Sequence, residues 1–346
     1  MQSQSVGQHE WMLCGRGQAL SKHAALTGAG CRIDHMPPHM GRILSLITTL
    51  PLWAGREQPD VFWGPAHRLP LWLPANTRRV VTVHDLCWLL APQTMRSSTR
   101  KLDALLMPRA LQSANAVIAV SSATQDALLE HFPEVSGRLH LILEGASALP
   151  DPLSAEVIEH WGVSTPYVLF VGTLEPRKNL LRLLEAFGRV QKRCLTSNTK
   201  APQLVIVGGI GWGTDNLSSA ILHLGLSDNV CFLGRVPDAQ LSTLYRHAAF
   251  LAMPSLYEGF GLPLVEAMAQ GTPVLTSGNS SMPEVAGQAG CLVNPLDVGS
   301  IEAGLWNLLS NPSYRAGLAS CAKSQAEKFS WDRAAAETLR VLVKQH

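Results

Sequence analysis

Two glutamates eight residues apart, Glu258 and Glu266, enclose the run Gly-Phe-Gly-Leu-Pro-Leu-Val. Gly259 and Gly261 allow the backbone to approach a ligand closely. Pro263 stands where the first residue of a helix is expected, because its fixed φ suits that position. The preceding apolar run, Phe250 to Met253, has the length of a buried strand. Leu264, Val265, Ala267 and Met268 then give a helical apolar face. A strand passing through a glycine turn into a helix start leaves free N–H groups and a positive dipole end, which suits an anion. Glu258 closes the loop and faces whatever lies over it. Glu266, one turn after Pro263, is placed to reach a pair of sugar hydroxyls, as acidic residues do on nucleotide riboses. Acids in a first turn for dipole reasons are the plainer alternative. It weighs less with two glycines, a proline and flanking strand patterns in between.

Two further groups carry chemistry. Arg177 and Lys178 follow the apolar strand Tyr167–Val171 and precede a helix predicted from Leu180 to about Arg193. Paired cations at a strand end form a good diphosphate site; a solvated charged turn is the alternative. His84 ends a β-branched strand, 79–83, and ligands of parallel sheets bind outside the carboxyl ends of strands. A lone histidine there is otherwise a structural residue.

EGFGLPLVE at 258–266 resembles the signature of glycosyltransferase family 4, retaining enzymes with two facing Rossmann-like domains, the GT-B fold. VTVHDL at 80–85, IAVSSAT at 118–124, VLFVGTLEPRKNLLRLLEAF at 168–187, LVIVGG at 204–209, VCFLGRVPD at 230–238 and GTPVLTSGNSSMPEVAG at 271–287 are similar to family phrases in the family's order. The resemblance runs from Val80 to the C-terminus. HDL, EPRKN and SSMPEVAG together resemble bacterial mannosyltransferases of O-antigen and polysaccharide assembly. The resemblance implies a nucleotide-sugar donor, GDP-mannose, and a glycan or lipid-linked saccharide acceptor. A UDP-sugar donor is the alternative.

In this setting the catalytic candidates are His84, Glu258, Arg177 and Lys178. The resemblance turns His84 toward the donor sugar and acceptor and sets Arg235 and Val236 at the nucleotide base. Glycosyl transfer breaks an anomeric bond to a diphosphate through an oxocarbenium-like state. Arg177, Lys178 and the helix N-terminus at Gly261–Pro263 supply charge as it develops on the leaving group, and Gly259, Phe260, Gly261 and Leu262 border the donor. Glu258 binds sugar hydroxyls and Glu266 the ribose. Family members with a Gly-Arg opening carry another arginine where Thr173 stands here, so that role falls to Arg177. The sequence holds no Asp-x-Asp, and metal-independent chemistry with no cofactor is expected. Retention implies same-face attack by resemblance alone.

The elements that must position these groups read as α/β throughout. Residues 1–150 are expected to form an N-terminal acceptor-side Rossmann-like domain, and 151–330 a C-terminal nucleotide-sugar-binding domain. Residues 331–346 form a helix crossing back to the first domain, as FSWDRAAAETLRVL resembles the family's last helix. Segments 42–53 and 96–114 read as helices, and the proline-rich stretch 144–166 as a linker with an amphipathic helix inside. The segment HEWMLCGRG resembles the family's second strand, so the first domain is expected to lack its first βα unit. An inactive nucleotide-sugar-binding relic is the corresponding alternative function.

A chain of 346 residues is long enough for about two domains with substantial cores. A formal charge of +2 argues against nucleic-acid binding. The seven cysteines have no C-x-x-C pair, which fits buried thiols in a reducing cytosol. No apolar run reaches the ~18 residues of a membrane span. A cytoplasmic protein is expected. Arg96, Arg100, Lys101 and Arg109 on the helix 96–114 make either an ordinary solvated face or a peripheral contact with anionic lipid at the inner membrane surface.

Overall fold

A computed structural model describes residues 9–16, 31–36, 44–146, 148–197 and 199–344. The N-terminal half begins with β1 (Trp11–Arg16) and β2 (Cys31–Met36), a parallel pair in register from Trp11 opposite Cys31 to Arg16 opposite Met36. A helical segment ends in α1 (Leu50–Glu57), followed by β3 (Val61–Gly64), β4 (Arg78–Val83), α2 (Ser97–Ser113), β5 (Ala116–Ala119), α3 (Ser122–His131) and β6 (Leu139–Leu141). Strands β3-β4-β5-β6 form a parallel four-stranded sheet in chain order. Among the described residues, the strands of this half thus belong to two sheets.

The C-terminal half holds β7 (Tyr167–Val171), α4 (Leu180–Thr196), β8 (Gln203–Val207), α5 (Leu217–His223), β9 (Val230–Gly234), α6 (Asp238–His247) and β10 (Phe250–Met253). It continues with α7 (Leu262–Ala269), β11 (Val274–Ser277), α8 (Met282–Ala286), β12 (Gly290–Val293), α9 (Val298–Ser310), α10 (Pro312–Ala326) and α11 (Trp331–Val343). Its six parallel strands run in the order β12-β11-β10-β7-β8-β9. From β7 the chain winds outward first to β8 and β9, then to the other side through β10. The reversal opens a crevice between the carboxyl ends of β7 and β10, where open α/β sheets bind ligands.

The apolar patterning explains the layers. Strands β7, β10 and β11 are buried along their whole length, as strands covered by helices on both faces must be. Helix α4 buries Leu180, Leu183, Leu184, Phe187, Val190 and Cys194 in one core cluster with residues of β7, β8, β10 and α9. Helix α11 places Ala334, Val341 and Leu342 in a cluster with Val80, Ala116 and Ile118 of the four-stranded sheet and with Ile142 just after β6. The chain enters α11 by crossing the linker at Gly145, where a Cβ would lie 2.1 Å from the Trp331 backbone nitrogen. Only glycine fits that crossing.

Three elements differ from the sequence reading. The helix expected to end at Trp53 continues through Gly55 to Glu57, and stops where Gln58 turns left-handed before Pro59. The linker helix is a single turn, Glu156–Glu159, since Pro150, Pro152 and Gly162 leave little chain that favours helix. Helix α2 contains Pro108, and Leu105, expected on its apolar face, is exposed among Lys101 and Arg109. Leu106 and Leu111 are buried as expected and share the inward face with Asp103, Met107 and Ala110, Asp103 being paired to Arg68 at 2.5 Å.

Candidate active site

The loops leaving β7 and β10 meet over the crevice. After β7, Pro176–Lys178 make one 3₁₀ turn that ends at Asn179 with φ +61°, a conformation asparagine tolerates better than most residues. The buried Asn179 amide donates to the carbonyls of Pro254 (2.9 Å) and Pro295 (2.7 Å), and Leu256 N–H donates to the Arg177 carbonyl (2.8 Å). One side chain therefore fixes two loops that sequence places far apart.

This tie brings the sequence-predicted cations and the first glutamate into one cluster. Lys178 Nζ donates to Glu258 Oε1 at 2.7 Å, and Arg177 donates to Glu258 Oε2, to the Tyr257 carbonyl (3.1 Å) and to Glu175 (2.9 Å). Glu258 is 5% exposed. Burial is the largest influence on its carboxyl and pushes it up, but Lys178 and Arg177 together outweigh burial and hold it below the usual range. Burial likewise opposes the charge on Arg177, and Glu258, Glu175 and Asp85 reverse it, so the guanidinium stays charged. The neighbouring Cys87 thiol is pushed up to about 11, chiefly by burial, and is no nucleophile at neutral pH.

The glycine loop is fixed from beneath. Ser281 Oγ lies within bonding reach of the carbonyls of Glu258 (3.0 Å) and Phe260 (2.9 Å), and Glu258 N–H donates to Ser280 Oγ (3.2 Å). Gly261 caps α7 with φ +106°, and a Cβ there would meet Met282 Cε at 2.4 Å. The Phe260 side chain is buried edge-on against Phe329, with ring centroids 5.4 Å apart. Phe260 can therefore offer a ligand only its backbone. Leu262 opens α7 half-buried.

Across the crevice stands the loop after β4. A Cβ on Gly259 would lie 1.8 Å from the His84 carbonyl oxygen, so the two halves touch at this glycine. Thr124 Oγ1 donates to the same carbonyl (3.2 Å). Beside them, the Glu284 carboxylate accepts from Ser122 N–H (3.0 and 3.1 Å) at the start of α3, where Ser121 is the cap. Burial pushes the Glu284 carboxyl up against the pull of that N–H. His84 carries ring contacts to Glu144 and to the Pro65 carbonyl, both at 2.7 Å.

The remaining candidates have partners of their own. Glu266 accepts from the hydroxyl of the fully buried Tyr245 at 2.9 Å. Burial, then the Glu266 charge, pushes that phenol well up. Arg235 is exposed after β9 and its guanidinium overlies Gly209, where a Cβ would meet Nε at 2.8 Å. Val236 packs half-buried on the core. Sequence reasoning did not find Glu144, His67 or Asn179 as parts of the site; Ser281 and Glu284 were visible only as a helix start. Glu144 looked like any acid at a domain boundary.

Residues 9–147 match the profile described as Glycosyltransferase Family 4, and 157–325 the one described as Glycosyl transferases group 1. The chain is 31% identical over 326 residues to the O-antigen chain mannosyltransferase B of Escherichia coli, covering 88% of this chain and 84% of that protein. Among solved structures it is similar to sucrose-phosphate synthase from Thermosynechococcus elongatus, with a TM-score of 0.74, 21% identity, and 96% and 98% of the two chains covered. Anabaena HepE in complex with UDP-glucose superposes with a TM-score of 0.73 and 20% identity over 96% of this chain and 100% of that one.

Proposed function

The chain belongs to glycosyltransferase family 4, and on that footing we propose that it transfers mannose from GDP-mannose, with retention, to a glycan or lipid-linked saccharide in surface polysaccharide or O-antigen assembly. The fold is GT-B. We take 1–150 as the acceptor-side domain, 151–330 as the nucleotide-sugar domain and 331–346 as the helix returning to the first. The observation that carries the reading is the buried Arg177–Glu258–Lys178 cluster at the crevice between β7 and β10. Two cations beside a helix start stabilise a departing diphosphate in a site with little competing water.

In this reading the diphosphate draws Arg177 and Lys178 toward itself, and Glu258 is released in part to sugar hydroxyls and to positive charge at the ring. Gly259, Phe260, Gly261 and Leu262 present backbone to the donor. Glu266 receives the ribose hydroxyls while Tyr245 fixes its other side, and Arg235 and Val236 border the base. His84 faces sugar and acceptor. No metal takes part. The exposed Lys101, Leu105 and Arg109 on α2 give a face with both charge and apolar surface for a peripheral contact with anionic lipid at the cytoplasmic side of the membrane.

The test is nucleotide release from GDP-mannose and from UDP-glucose, each with a mannose-terminated lipid-linked acceptor, followed by NMR of the product's anomeric configuration. GDP release with an α-product supports the reading. UDP release alone would move the donor to a UDP-sugar. Nucleotide binding without release in either case would mean a binding protein, and an inverted product would remove retention.

A further inference from the structure

His84 lies between two acceptors. Its Nε2 is 2.7 Å from the carbonyl oxygen of Pro65, which can only accept, so Nε2 carries a hydrogen. Its Nδ1 is 2.7 Å from Glu144 Oε1, and a carboxylate oxygen accepts as well. Both ring nitrogens therefore donate, and a histidine that donates twice is an imidazolium. We propose that Glu144 keeps His84 doubly protonated, so that His84 meets its substrate as a cationic hydrogen-bond donor and not as a base. The inference rests on the placement of His84 in the transfer site.

The surroundings agree. His67, from the loop after β3, stands edge-on to His84 with ring centroids 5.2 Å apart, and its Nδ1 accepts the His84 backbone N–H at 3.2 Å. That bond requires a bare Nδ1, so His67 is neutral; burial, the largest influence, pushes it below its ordinary value. One histidine of the pair is thus uncharged and the other charged. The charged or titratable groups facing His84 are Glu144 from the segment after β6, Asp85 beside it and His67. From the other half, the Gly259 backbone covers its carbonyl. Burial is the largest single influence on His84 and pushes it down. The bonds to Glu144 and Pro65, with the charges of Glu144 and Asp85, outweigh burial and raise it.

Glu144 is then a positioning residue, separated by 60 positions from the group it acts on. The Pro65 carbonyl belongs to an exposed loop residue and is the contact a substrate oxygen can replace. An oxygen that does so receives a donated hydrogen from a cation. Sugar hydroxyl or phosphoryl oxygens fit that role, whereas a hydroxyl that must lose its proton does not.

The experiment follows the His84 ring in ¹⁵N-histidine NMR of the full chain against pH, with H84N identifying the signal. The pH profile of GDP-mannose hydrolysis without acceptor is measured in parallel. Glu144→Gln preserves an acceptor oxygen and removes the charge; Glu144→Asp keeps the charge and guards against a folding defect in the first variant. A group with a raised value stays protonated below it and loses its proton as pH rises through it. The His84 titration is expected to move to lower pH in E144Q and to stay near the wild-type curve in E144D. The alkaline limb of hydrolysis should move with it. An E144Q titration superposing on wild type overturns the inference whatever the rates do. A shifted titration with an unshifted limb leaves the hold of Glu144 standing and overturns the assignment of His84 to the transfer site.

Discussion

Glu258→Gln separates what the carboxylate does for folding from what it does for the donor. In the native protein it neutralises two cations, of which the Lys178 side chain is 9% exposed and the Arg177 side chain 21% exposed. Breaking a buried ion pair by removing one partner costs about 3–5 kcal/mol. Arg177 keeps Glu175 at 2.9 Å, so the uncompensated charge is mainly that of Lys178, and the loss should sit near ~3 kcal/mol. At about 2–4 °C per kcal/mol, the C-terminal half should melt roughly 6–12 °C lower. Freed cations bind a diphosphate better, so the rise in Tm on adding GDP should be larger in E258Q than in wild type. A double-mutant cycle with Lys178→Met isolates the pair: removing both charges should recover part of the stability, a coupling of about 0.5–3 kcal/mol. Wild-type melting of E258Q without nucleotide, or strictly additive effects, would show that the cluster does not hold these charges.

Three other outcomes follow from the same geometry. Gly259→Ala places a Cβ where the His84 carbonyl now lies, so it should push the halves apart and lower kcat strongly, while GDP affinity of the C-terminal half changes little; unchanged turnover would count against the contact. Glu266→Ala should weaken GDP binding by about 1.5–3 kcal/mol for a lost charged hydrogen bond. It also orphans the buried Tyr245 hydroxyl, so Tyr245→Phe should restore stability to Glu266→Ala but not its affinity, read by melting and calorimetry. Glu258 titrates below the usual carboxylate range, so its contribution to stability is complete above that range and is lost as pH falls through the folded value. Acid melting curves of wild type should therefore be steeper than those of E258Q, and parallel curves would refute the pairing.

The contrast between what the sequence disclosed and what it did not follows from range. The β10–α7 turn was legible because its determinants are local: Gly261 must adopt a positive φ, Pro263 favours a first turn, and the strand before it is apolar throughout. The cations after β7 were legible for the same reason, as charges at a strand end. That they meet the glutamate of another loop was not, since Arg177 and Lys178 lie 81 and 80 positions from Glu258 and are brought to it by strand order and by Asn179. Strand order arises from packing of whole layers, which no short window carries. Glu144 is the extreme case. Its neighbours Gly145 and Ala146 are shaped by the crossing of α11, and nothing around it in sequence marks an acid that faces a histidine. The first half was also harder to read than the second. Strands β7, β10 and β11 are buried from end to end, whereas β3 is half-buried along most of its length, so its pattern is weaker and depends on Trp11 and α11 for cover. Arg177, Lys178 and Glu258 lie within recognisable motifs, whereas the acid that faces His84 lies outside them.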